Sequence, residues 1–251
     1  MQARTGGGDV PIFRWHFWPS MSDALPNDYL VNRVLYRDAM MLVIDKPAGI
    51  PVHAGPGGGP NLEQFFDALR YGLPRPPGLA HRLDRDTSGC LVLGRHRRAL
   101  ARLGRLFESG RVEKVYWAIV EGAPPEKAGR IDLPLKKVAR KDAWRMFADP
   151  SGQPSVTDYR LLGRAAGRAW LECRPRTGRT HQIRVHAAAI GCPIVGDTIY
   201  GKPDQAEPLQ LHAREVKLPL YPTREPIDVT APPPAHMLKA LEACGWHEGR
   251  T

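Results

Sequence analysis

The stretch "HRLDRDTSG", His81 to Gly89, lies between a proline-rich turn, "LPRPPGLA" (73–80), and an apolar run, "CLVLG" (90–94). Two aspartates, two arginines and a histidine fall within its first six residues. Asp86, Thr87, Ser88 and Gly89 have the chemistry of a tight turn, because Asp and Ser hydrogen-bond their own backbone there. The apolar run that follows reads as a buried strand. Turn chemistry accounts for the second half of the stretch only. His81, Arg82 and Asp84 set opposite charges beside a buried element, which fits either a solvated turn or an acid held in a basic cleft.

The rest of the chain decides the fold class. Strand signals recur in "MMLVIDK", "KVYWAIVEG", "VTDYRLLG", "AWLECRP" and "LQLHAREVKL", and the second and last of these alternate as half-buried strands do. Helix signals are fewer. Asn61 with Gln64 three residues on forms an N-terminal cap for Leu62, Phe65, Phe66 and Leu69. Residues 97–109 carry Leu100, Leu103, Leu106 and Phe107 and stop at Gly110; Met237, Leu238, Leu241 and Cys244 precede Gly245 in the same way. Strands in succession with few helices between them predict an α+β fold, a mixed, largely antiparallel sheet flanked by helices and loops, with a cleft across the sheet. Residues 1–30 are expected to be a partly disordered extension that includes the aromatic arm "FRWHFWP" (13–19), and 31–251 a single folded domain.

Composition limits the partners. The 251 residues carry 36 Lys+Arg against 26 Asp+Glu, a net charge of +10, which points to a polyanion. "RHRRALARLGR" (95–105) and "KKVARKDAWR" (136–145) concentrate that charge and read as phosphate-contacting segments or, for one of them, a solvated helix face. The four cysteines form no C-x-x-C pair, so neither a zinc site nor a disulfide framework is expected, and a reducing cytoplasm fits. No apolar run approaches the ~18–20 residues of a membrane span. The glycines of "GPGGGP" (55–60) are not followed by G-K-[ST] and are turn chemistry rather than a phosphate loop. The kinase order H-R-D-x-x-x-x-N is absent as well.

A second cluster, "RPRTGRTHQIRVHAAAIGCPIVGDTIYG" (174–201), brings four arginines, at 174, 176, 179 and 184, within eleven residues. Thr180 is expected to cap a helix whose buried stripe is Ile183, Ala187 and Ile190, ended by Gly191. Such a helix carries Arg184 next to its apolar stripe and can deliver a guanidinium into a partly buried cleft. His181 and His186 lack a carboxylate or cysteine at metal-ligand spacing and are expected on the helix surface; Asp197 is expected to fix a turn.

At these residues the chain resembles the RluA family of RNA pseudouridine synthases. "HRLDRDTSG" is similar to that family's catalytic motif, "EKVYWAIVEG" (113–122) to its tyrosine-bearing strand, and "RTGRTHQIRVHAAAIGCPIVGDTIYG" (176–201) to its C-terminal motif. "LYRDAMMLVIDKPAGIPVH" (35–53) resembles its first strand, and the likeness spans roughly residues 33–220. The resemblance implies that a uridine in RNA becomes pseudouridine, with no cofactor and no metal. It implies catalytic roles for Asp84, Arg184 as its partner, and Tyr116 against the flipped uracil. Whether Asp84 attacks C1′, adds to the base or abstracts a sugar proton stays open, but each route needs an ionised carboxylate. Arg82 is implied to fill the stack vacated by the base, and Ile183, Arg179 and His181 to contact substrate; His81, Thr87 and Ser88 are read as supports of the turn. The expected partner is a structured RNA, an rRNA or tRNA stem-loop, met by a monomer off the membrane. The alternative is an inactive RNA-binding protein or chaperone on the same fold. A glycosidase, which needs paired carboxylates, fits the arginines around Asp84 poorly.

Overall fold

The structure, a computed structural model, describes residues 26, 28–55, 58–140, 143–202 and 206–248. Most of the 1–30 extension, including the aromatic arm, lies outside the described residues. The strands are β1 (Val34–Arg37), β2 (Met41–Lys46), β3 (Gly78–Leu79), β4 (Ser88–Gly94), β5 (Glu113–Glu121), β6 (Ala128–Asp132), β7 (Leu135–Arg140), β8 (Ala143–Ala148), β9 (Val156–Ala165), β10 (Arg168–Pro175), β11 (Leu211–Leu218) and β12 (Ile227–Thr230). The α-helices are α1 (Arg97–Glu108), α2 (Gln182–Ala189) and α3 (Ala235–Ala243), and Leu62–Leu69 forms a 3-10 helix.

Ten strands join one sheet in the order β1-β2-β4-β11-β5-β10-β9-β6, with β3 on β4 and β12 on β11; β7 and β8 form a separate hairpin. All pairings are antiparallel except β4 with β11, where Ser88 faces His212 and Gly89 faces Ala213. That junction explains the glycine that ends "HRLDRDTSG". Gly89 has φ +103°, and a Cβ there would collide with the carbonyl of Ala213. Ser88 Oγ and His212 Nδ1 close the same junction at 2.9 Å.

Apolar side chains alternate across the sheet and are covered on both faces. Leu42, Ile44, Leu91 and Leu93 pack with the 3-10 helix, while Met41, Val43, Cys90 and Val92 meet Leu103 and Leu106 of α1. Further along, Ala118, Val120 and Leu171 pack under α2, and Ile119 and Trp170 pack under α3. This two-sided cover is why β5 and β11 bury consecutive residues instead of alternating as half-buried strands. Tyr116 touches the clusters under both the 3-10 helix and α2, which sets it at the middle of that face.

Two local expectations change. The 62–69 segment is capped by Asn61, whose side chain accepts from the Glu63 N–H, but it is a 3-10 helix rather than an α-helix, burying Leu62, Phe66 and Leu69. α2 starts after His181, not at a Thr180 cap; His181 is left-handed with φ +54° and makes no side-chain cap bond. Of the two basic segments, 97–105 lies on the helix α1, while the described residues of "KKVARKDAWR" lie in β7 and β8, with Val138 opposite Arg145. Met146 and Leu135 of this β7–β8 hairpin pack against Val185 of α2, so tertiary contact decides its form. The stops at Gly110, Gly191 and Gly245 all have positive φ, as the sequence predicts.

Candidate active site

A cavity of about 440 Å³ opens where the 81–89 turn, the strand β5 and the 175–184 segment meet, a size suited to a nucleoside. Asp84, Arg82, Tyr116, Arg179, His181, Ile183 and Arg184 all line it. Residues from motifs a hundred positions apart are therefore brought to one place. Arg82 and Arg179 are exposed at its lip, and Ile183 is buried in its wall.

The turn that carries Asp84 is held from beneath. Lys46, the last residue of β2, is fully buried, and its ammonium donates to three backbone carbonyls: Pro47 at 2.7 Å, Arg85 at 2.8 Å and Thr87 at 2.9 Å. Burial pushes its pKa down to about 7, against the pull of Asp86, Asp84 and Asp45. His81 accepts from the Val92 N–H through Nε2 at 3.0 Å and stacks on Phe107, 4.5 Å between centroids. Burial, with Lys114 nearby, pushes its pKa down to about 3, so the ring is neutral and acts as an acceptor for β4. His81, Thr87 and Ser88 are supports of this turn, as read from the sequence.

Across the cavity, charge does the holding. Arg184 is 5% exposed and Asp197 1%. The guanidinium donates to Asp197 through Nε at 2.7 Å and through a second nitrogen at 2.8 Å, a bidentate pair. Its remaining nitrogen lies 3.6 Å from Asp84 Oδ2. Asp197 also accepts the N–H groups of Ile199 and Tyr200. Burial raises its pKa, but Arg184 and those two N–H groups overcome that and hold the carboxyl below its usual range. Asp197 thus does more than fix a turn: it aims the guanidinium that reaches Asp84. Sequence reading missed this because an Asp in "GDTIYG" looks the same whether or not a distant arginine meets it. Lys46 was missed for a related reason, since a lysine ending a strand is ordinarily solvated.

His181 completes that wall. Its Nδ1 lies 2.8 Å from the Tyr200 hydroxyl, which itself accepts from the Met146 N–H. Its Nε2 lies 3.8 Å from Asp84 Oδ2, and Trp144 of the β7–β8 hairpin stacks on the ring. Burial lowers its pKa, opposed by Asp84. The left-handed backbone turns this ring into the cleft rather than onto the helix surface. His186 is not on the surface either: it is fully buried, bonded to Thr157 Oγ1 at 2.9 Å and the Leu133 carbonyl at 3.0 Å. Gln182 braces the loop before the helix, accepting from Thr177 and from the Arg179 N–H. Burial, then the Asp84 charge, raise the pKa of Tyr116, which keeps its hydroxyl protonated. Lys114 donates to the Thr177 carbonyl at 3.1 Å, and burial brings its pKa down to about 8.

A carboxylate, Asp84, thus faces arginine and histidine beside a tyrosine in a cleft on a mixed sheet, an arrangement suited to acid–base or nucleophilic chemistry. The family described as RNA pseudouridylate synthase matches residues 40–189. An uncharacterized RNA pseudouridine synthase of Zymomonas mobilis is 46% identical over 209 residues, 82% of this chain and 95% of that one. The ribosomal large subunit pseudouridine synthase D of Xanthomonas campestris is 38% identical over 89% of this chain and 72% of its own. Among solved structures, human RNA pseudouridylate synthase domain containing 4 superposes with a TM-score of 0.73 at 28% identity, over 87% of this chain and 95% of that one. The chain belongs to the RNA pseudouridine synthase family, and its reaction is the isomerisation of uridine in RNA. A non-catalytic chaperone on the same fold is not favoured by these relatives. Among the described residues no helix is long and apolar enough to cross a membrane.

Proposed function

We propose that Asp84 is the catalytic carboxylate, that Arg184 and Tyr116 act with it, and that the substrate is a uridine in an RNA stem-loop, of rRNA or tRNA. The carrying observation is the approach of Arg184 to Asp84 at 3.6 Å in a cavity of nucleoside size. The isomerisation breaks C1′–N1, turns the base and joins C1′ to C5; C5 loses a proton and N1 gains one. A carboxylate that attacks C1′, adds to the base or takes a sugar proton must be ionised at the start, and a guanidinium faces it at 3.6 Å. The three routes share this requirement.

Tyr116 supplies a wall for the base and a protonated hydroxyl within the cavity. Arg82 lies at the lip, in position to take the place of an extruded base, whose removal from the stack costs a few kcal/mol and least in a loop. Arg179, His181 and Ile183 are the proposed substrate contacts. The protein is proposed to work as a monomer in the cytoplasm, where four free cysteines fit, and the side-chain chemistry here asks for neither cofactor nor metal. The test is tritium release from C5-labelled uridine in RNA, comparing the wild type with Asp84→Asn. The variant should lose at least about 10³-fold in rate with RNA affinity little changed. Substantial turnover by the variant would overturn the assignment of Asp84.

A further inference from the structure

A second cavity of about 420 Å³ lies between the C-terminal half of α1 and the turn joining β11 to β12. Arg102, Arg105, Arg111 and Arg224 line it. Among the described residues none of the four guanidiniums has a carboxylate at ion-pair distance, whereas Arg85, Arg130, Arg168, Arg174 and Arg176 each have one. Asp38, the carboxylate bonded to the lining residue Tyr221, is already used. Asp38 accepts the Met40 and Met41 N–H groups at 2.7 and 2.8 Å and the Tyr36 and Tyr221 hydroxyls at 3.0 and 2.7 Å. Tyr221, fixed by that bond, forms a rigid wall of the cavity, and Arg224 lies 5.0 Å from its ring centroid. Four uncompensated positive charges around one hollow repel each other, and an anion relieves that repulsion.

The cavity backs directly onto the active site. Arg105 and Leu106 of α1 face it, while the next two residues, Phe107 and Glu108, line the catalytic cavity. These pairs lie on opposite sides of the helix, so a strand leaving the cleft has only its end to round, ~10 Å across. Successive phosphates of one strand can therefore span both cavities, which an isolated small anion has no reason to do. We propose that this arginine pocket grips the phosphodiester backbone of the single strand flanking the target stem-loop, as a second RNA-binding site outside the catalytic cleft. The proposal rests on the RNA stem-loop reading above. In this arrangement the stem-loop suffices for turnover, and the flanking strand adds affinity.

The test uses the full chain and two synthetic RNAs: a hairpin with uridines in its loop, and the same hairpin with a single-stranded tail. Their dissociation constants are measured over a salt series for the wild type and for Arg105→Glu/Arg224→Glu, two exposed positions. The wild type should prefer the tailed RNA. The variant should lose about tenfold more affinity for the tailed hairpin than for the bare one, and its log–log salt slope on the tailed RNA should shrink by ~0.7 per lost phosphate contact. An unchanged melting temperature shows that the fold is intact; Arg105→Gln/Arg224→Gln, which removes charge without reversing it, should give the same preference in weaker form. Equal losses on both RNAs, or none on either, would overturn the pocket. If the wild type bound neither hairpin at low salt, the stem-loop reading would fail, and the pocket with it.

Discussion

The two walls of the catalytic cavity hold the same carboxylate by different physics. The 81–89 wall is fixed through its backbone: Lys46 gathers three carbonyls, His81 takes an N–H of β4, and Gly89 lies against the Ala213 carbonyl. The 176–201 wall is fixed through charge, with Asp197 clamping Arg184 and Arg184 reaching Asp84. A backbone clamp sets where Asp84 is; a charge clamp sets which charge it faces. Damage to the first should therefore act on stability and position, and damage to the second on electrostatics as well.

The largest effect is expected from Arg184→Met on the charged wall. It leaves Asp197 buried without its counter-charge, at a cost of ~3–5 kcal/mol for a fully buried pair. In a chain of this size that lowers the melting temperature by about 10 °C. Turnover should fall too, because Asp84 loses the guanidinium that faces it. Normal turnover with unchanged melting would erase the distinction between the walls.

Lys46→Met probes the backbone wall. Three backbone carbonyls lose their donor, offset in part by removal of a buried charge, for a net cost of about 2–3 kcal/mol. RNA turnover should drop with it, and denaturant titration beside kinetics checks both. A stable variant with full activity would show that the turn holds its shape unaided.

A pH titration probes the backbone wall without mutation, since His212 is bonded to Ser88 of that turn. Burial pushes His81 to about 3 and His212 to about 4, both well below the unfolded value. Below pH ~6.5 the unfolded chain takes up protons that the folded chain refuses, so stability is lost as pH falls, by up to ~1.4 kcal/mol per unit for each histidine. Urea midpoints between pH ~6.5 and ~5 should decline, and His212→Gln should flatten the slope. A flat profile would mean these rings are not kept neutral.

Tyr116→Phe is expected to perturb stability least. Its hydroxyl makes no hydrogen bond among the described residues, so melting should be unchanged. The ring still walls the cavity, and RNA binding should persist while kcat falls by ~10²-fold, the loss expected if the hydroxyl moves a proton. An unchanged kcat would leave the ring as a packing surface alone.

Local patterns were legible wherever one segment contains its own cause. The apolar run after "HRLDRDTSG" becomes β4, the leucines of 97–108 become α1, and positive-φ glycines end the helices, because periodicity and chirality act over a few residues. Asp84 and Arg184 could be singled out because unusual charge densities flank buried elements and because both motifs resemble a known family. The sequence by itself determined β2, β4, β5, β9, β10 and β11, the helices α1 and α3, and which charged residues stand beside them. Only the tertiary structure decided that Lys46 lies under the turn, that Asp197 clamps Arg184, and that "KKVARKDAWR" is a hairpin. Those outcomes depend on partners 13 to 54 residues away along the chain, and no local rule ranks one distant partner above another until the sheet has closed and excluded water from between them.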